Sequence, residues 1–152
     1  MVALRCADAG IAASTARTTV RIRVIEVSWN SPIEFILGEA AALHTDGVTP
    51  ISAAKPAKPN EVIVLFGTGL GLLTPALPTG QAAKNNSTVV IPNVTVDGKN
   101  ADVQFTGAAP GFVGLNQVNI KIPAGTRSAP DIPIALSIGD KQSNTVTIAV
   151  SQ

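Results

Sequence analysis

Residues 61–75, EVIVLFGTGLGLLTP, place glycines at 67, 69 and 71 directly after a β-branched apolar run. Such a loop can present backbone N–H groups to phosphate, and glycine lets the backbone come close to the oxygens. Both phosphate chemistries of this kind need more than the glycines. A dinucleotide fingerprint is Gly-x-Gly-x-x-Gly at the start of a helix, whose N-terminus holds the pyrophosphate. Here the spacing is Gly-x-Gly-x-Gly, and Pro75 and Pro78 forbid a long helix. A P-loop requires Lys followed by Ser or Thr, and no Lys follows until Lys84. Gly67, Gly69 and Gly71 are therefore read as a structural turn where a strand leaves the fold, with no nucleotide cofactor.

His44 is the only histidine and has Asp46 two residues on. A metal site needs three or four ligands, and a Ser-His-Asp site needs a held nucleophile. No Gly-x-Ser-x-Gly elbow is present, and Ser128 and Ser143 fall in turn sequences. His44 is read as polar surface, with no catalytic residue and no metal. The run DGKNAD, 97–102, offers oxygens at Asp97, Asn100 and Asp102 but lacks the closing Glu of a calcium loop, and Lys99 intrudes. It reads better as an Asp-Gly hairpin turn. NST at 86–88 and NVT at 93–95 match the N-glycosylation pattern. Cys6 is alone, so no internal disulfide or thiolate cluster forms. The apolar run PGFVGL, 110–115, is read as a loop whose Phe112 caps one end of the fold, with Pro110, Gly111 and Gly114 as turn residues.

The elements that must position these residues are strands. Of 152 residues, 45% are hydrophobic and 14% charged, enough for a core and too little charge for a disordered chain. The apolar residues are mostly Val, Ile, Leu and Ala, broken up by 13 Gly and 11 Pro, which favours strands over helices. A net charge of +1 gives no field to steer nucleic acid or an acidic membrane. Nothing approaches the roughly 20 apolar residues of a membrane span.

TTVRIRVIEVSWNSPIEFIL, 18–37, reads as two strands, the first with Val20, Ile22 and Val24 alternating with arginines, the second with Ile33, Phe35 and Leu37. Residues 38–60 are a small, polar lead-in with one short strand near 41–44; a very short helix over 39–44 is the alternative. EVIVLFG is a buried strand, and 70–87 is a long Pro/Gly loop. TVVIPNVTV is a strand broken at Pro92. DGKN turns it into ADVQFTG, so that Val94 and Val96 answer Ala101, Val103 and Phe105. LNQVNIKIP is a strand with Leu115, Val118, Ile120 and Ile122, and Gln117 and Asn119 lie on its other face to serve loop backbone groups. IPIALSIG and NTVTIAV form a last hairpin around GDKQS. Short strands at this spacing with no amphipathic helix between them indicate an antiparallel β-sandwich.

Three stretches together, NEVIVLFGTGLG, VTVDGKNADVQFTGAAPGFVGLNQVNIKIP and SNTVTIAV, closely resemble a C-terminal domain family abundant in Solibacter-type acidobacterial proteins. The match spans residues 39–152, and its middle motif is long and specific. Asn60 stands where the family usually has Gly, and Phe66 where Tyr is common. The pattern is also loosely similar to IPT/TIG domains. The resemblance implies an immunoglobulin-like (IPT/TIG-like) sandwich over 39–152, working as an accessory module of large secreted or cell-surface proteins, with no catalytic residues and no cofactor. It makes 1–38 an extension: the terminal hairpin of a preceding β domain, or an arm that donates strands.

A two-stranded hairpin alone is marginal, so 18–37 must pack on the main domain or pair with another chain. The expected function is thus a non-catalytic extracellular structural or adhesive module, with itself or adjacent β domains as partner and assembly into an oligomer or filament by strand addition. Binding of surface glycans is the alternative, though five aromatics with no Tyr make a poor sugar platform. MVALRCADAGIAASTA lacks a continuous apolar core for a signal peptide, so export would rely on a part of the protein outside this sequence.

Overall fold

The computed structural model describes residues 40–152; the strand residues Val20, Ile22, Val24, Ile33, Phe35 and Leu37 lie outside them. All regular structure among the described residues is β, with no helix. The strands are β1 (Ala42–His44), β2 (Val62–Gly67), β3 (Leu73–Thr74), β4 (Ser87–Thr88), β5 (Asn93–Val96), β6 (Lys99–Ala108), β7 (Asn116–Lys121), β8 (Ala129–Ile138), β9 (Lys141–Gln142) and β10 (Val146–Val150). Every strand pair is antiparallel, and the main hydrogen-bonded path runs β1-β2-β7-β6-β5-β8-β10.

β6 turns this path into a curled sheet. Its residues 99–101 pair with β5, and 102–108 pair with β7, with a register shift between Val103 and Phe105. A bulge of this kind bends a strand and sharpens its twist, so one strand carries the chain from one side of the core to the other. The two ends of the path come together. Ala40 N–H donates to Thr147 O (3.0 Å), Ala57 N–H to Ala149 O (2.9 Å) and Ser151 N–H to Ala57 O (2.9 Å). The segment 45–60, between β1 and β2, is thus a strap along the outer edge of β10.

Both sides of the curl face one apolar cluster. Ile63 and Leu65 of β2, Val94 and Val96 of β5, Val118 and Ile120 of β7, Ile132, Ile134 and Leu136 of β8, and Val146 and Ile148 of β10 belong to it. Their spacing is the period of two that puts alternate side chains on one face. Each such burial is worth about 1.5–3 kcal/mol, against at most about 1 kcal/mol for an exposed ion pair. The core therefore dominates the stability of the fold.

Two strand expectations change. The Pro/Gly loop contains a two-residue ladder, with Leu73 opposite Thr88 and Thr74 opposite Ser87. Only Val94 faces Ala101; Val103 lies opposite Ile120 and Phe105 opposite Asn119, because β6 has left β5 by then. Pro133 sits inside β8 at no cost to the ladder. β5 ends at Val96 opposite Ile134, and Pro133 needs only its carbonyl, which accepts from Asp97 N–H (2.9 Å).

Candidate functional site

The loops at one end of the curled sheet hold most of the residues the sequence singled out. Gly67 closes β2 opposite Asn116, and Asn116 also stands opposite Ala108 at the end of β6. The loops after β2 and between β6 and β7 therefore leave together. Gly69 (φ 84°), Gly71 (φ 88°), Gly111 (φ 82°) and Gly114 (φ 73°) have left-handed backbone, where a Cβ is strained. Gly67 does not; it is an ordinary strand residue. Pro110 lies in a bridge with Ala83.

Side-chain amides staple these loops. Asn116 Oδ1 accepts from Leu70 N–H (3.3 Å), so an amide within the Gly-x-Gly-x-Gly run is already engaged by the protein. Asn86, only 7% exposed, accepts from Lys84 N–H at Oδ1 (3.1 Å) and donates from Nδ2 to Pro75 O (2.8 Å). Ala83 N–H donates to Phe112 O (3.0 Å), and Gly111 N–H to Ala83 O (2.8 Å). Gln117 and Asn119, expected to serve loop backbone groups, bond each other through their side chains (2.9 Å). The stapling falls to Asn86 and Asn116 instead. The only local signal for them was an Asn at each boundary between loop and strand. Of the two glycosylation patterns, the one at Asn86 has its carboxamide buried and doubly bonded.

The loops after β2 and β6 give this end an apolar surface, and its charges are Lys84 and the exposed Asp140–Lys141 pair in the turn after β8. Leu72 is 80% exposed and Ile91 70%, with Val89, Val90 and Val113 also open. Phe112 is 55% exposed and does not cap the core as expected; its own carbonyl and the Gly111 N–H are tied to Ala83, and the ring stays outside. Leu72 O accepts from Val89 N–H (2.8 Å), so Leu72 and the 89–91 run are neighbours. Lys84 is the only charged residue within 62–96, and none falls within 103–120. A hollow of about 320 Å³ beside it is lined by Pro75, Leu77, Pro78, Gln81, Lys84 and Asn86 among others, with no aromatic for a sugar to stack on.

The opposite end carries the charges. Lys121 is opposite both Val62 and Asp102, and Asp97, Lys99 and Arg127 gather beyond it. Asp97 (φ 53°) and Gly98 (φ 72°) form the two-residue turn of a β-hairpin with both residues left-handed, and Arg127 Nε donates to Asp97 Oδ1 (3.1 Å). This is turn chemistry, as the sequence suggested. Lys99 Nζ donates to Gly125 O.

His44 and Asp46 are each bonded, in different ways. His44 Nδ1 is 2.5 Å from Glu61 Oε1, and Nε2 is 3.2 Å from Lys55 O. Burial pushes its pKa down, but the bonds to Glu61 and to Lys55 O and the charges of Glu61 and Asp46 outweigh that and leave it raised above 6.5. Asp46 caps its own turn, accepting from Thr49 Oγ1 (2.5 Å), Thr49 N–H (2.8 Å) and Val48 N–H (2.9 Å). Those bonds, Thr49 Oγ1 first, hold its carboxyl down at about 2. Ser143 Oγ accepts from Leu136 N–H and donates to Asn144 O, while Ser128 Oγ accepts from Gln152 N–H. Among the described residues no group of three or more His, Cys, Asp or Glu could hold a metal, and no helix is long and apolar enough to cross a membrane. No family model, no curated protein and no solved structure matches the chain.

Proposed function

We propose that the chain is a non-catalytic structural or adhesive module of immunoglobulin-like type, working outside the cell by surface contact and by association with its own copies. The apolar loop end carries this reading. Contiguous exposed apolar side chains on a folded domain mark a contact surface, and Leu72 with Val89, Val90 and Ile91 form such a run. The strand order supports the immunoglobulin-like part. The neighbours β1-β2-β7-β6 and β5-β8-β10 correspond to the ABED and CFG sheets of that fold, with β6 linking them.

The segment 18–37 is the second contact element, adding as strands to a neighbouring copy. Ala40, three residues after it, bonds Thr147 of β10. An exposed sheet edge of a neighbouring copy is what a strand donor adds to. Light scattering on the full chain, on a form lacking residues 1–37 and on Leu72→Asp tests the reading. Association lost on the deletion assigns the contact to the strands, and association lost on Leu72→Asp assigns it to the loop end. A monomer in all three forms sinks the proposal.

A further inference from the structure

We infer that His44 is a proton-operated lock: as an imidazolium it holds the 45–60 strap along the edge of β10, and on losing a proton it loosens that strap. The geometry is specific. Glu61 Oε1, 2.5 Å from Nδ1, is a carboxylate oxygen, and Lys55 O, 3.2 Å from Nε2, is a carbonyl oxygen. Both are acceptors. A neutral imidazole has one N–H and can serve only one of them; the imidazolium has two and serves both.

The ring joins three parts of the strap's anchorage. His44 ends β1, Glu61 immediately precedes β2, and Lys55 lies in the strap two residues before Ala57, which covers the edge of β10 through Ala149 O and Ser151 N–H. Glu61 also holds the strap directly, accepting from Lys58 N–H at Oε2 (2.8 Å). Thr45 Oγ1 donates to Val62 O across the same junction. The charged residues of the elements packed here are Glu61, Asp46 in the turn after β1, and Lys55 and Lys58 of the strap. Glu61 and Asp46 favour the charged ring, and Asp46 stays ionised down to about pH 2, so its charge persists wherever the ring titrates.

The sign follows from a folded pKa above the ordinary 6.5. The lock's stabilisation is fully present below 6.5 and is lost as the pH rises through the folded value. Ala57 of the strap belongs to the apolar cluster and Ile51 packs against it, but Ile134 lies on β8, paired with β5 and β10 and not with the strap. Loosening is read at the strap, with Ile134 as the reference for the sheet.

The test uses the full chain labelled with ¹⁵N, with ring-nitrogen spectra and amide hydrogen exchange followed from about pH 5 to about pH 9 across the imidazole range. Below 6.5 both ring nitrogens should carry protons. After correction for intrinsic exchange, protection of the Ala57 and Ser151 amides should fall about tenfold as the ring titrates, while that of Ile134 in the core stays constant. Glu61→Gln should move the ring's midpoint down, and His44→Asn should remove the pH dependence at Ala57 and Ser151. Three results overturn the lock: a ring with one bare nitrogen below 6.5, protection at Ala57 and Ser151 that ignores the titration, or an unchanged pH dependence in His44→Asn. The ring spectra of the unsubstituted chain decide the first point even where a variant fails to fold.

Discussion

The two ends of the curled sheet are made in opposite ways. At the end of Asp97 and Lys121, where the 45–60 strap also leaves and returns, charges are dense and ion pairs such as Arg127–Asp97 lie at the surface. At the end of Gly69 and Phe112, charge is confined to Lys84 and the Asp140–Lys141 turn, and the loops after β2 and β6 are ordered by side-chain amides and backbone bonds. Exposed ion pairs contribute little and are screened by salt, whereas a buried amide that loses its partners costs a full desolvation penalty. The comparison teaches that the apolar loops, though more open, are specifically fixed. An apolar surface held in one shape is suited to contact; a charged turn is suited to staying in solution.

The largest expected effect lies in what both ends share. Ile134 is fully buried in the cluster that both sides of the curl face, and Ile134→Ala should cost about 2–5 kcal/mol in urea denaturation. Next comes Gly107, which ties the loop end to β6. A Cβ there would overlap Asn86 O and stand 3.0 Å from Ser87 Cα, both of them backbone. Gly107→Ala should cost about 1–3 kcal/mol, with hydrogen exchange rising first around β4. Asn86→Ala should cost about 1–2 kcal/mol, since Lys84 N–H and Pro75 O lose their partner in a half-buried place. At the charged end, Arg127→Ala should change stability by less than about 0.5 kcal/mol, because its side chain is 55% exposed. An Arg127→Ala cost as large as that of Asn86→Ala would break the contrast between the ends.

Much of the fold was legible because strand burial writes a period of two into the sequence. Val94 and Val96, Val118 and Ile120, and Ile132, Ile134 and Leu136 announced their strands, and Asp97-Gly98 announced its turn. The ladder of β3 and β4 was not legible, since two residues carry no period. Nor was the exchange of partners along β6, which depends on a bulge that has no glycine or proline to mark it. The site was read less well. Its glycines stood out, but Asn86 and Asn116 work through backbone groups 11 and 46 residues away in sequence. The His44–Glu61 contact spans 17 residues and depends on a strap whose own sequence has no regular pattern. Exposure of Phe112 could not be told from burial by residue type alone, because an aromatic beside glycines fits a cap and a tip equally.

The central claim is that this chain acts by contact with its own kind. Light scattering of the full chain over a wide concentration range tests it most directly. The expected result is a mass above that of one chain, falling when residues 1–37 are removed or when Leu72→Asp places a charge on the apolar end. A strict monomer at every concentration, unchanged by either alteration, would contradict it.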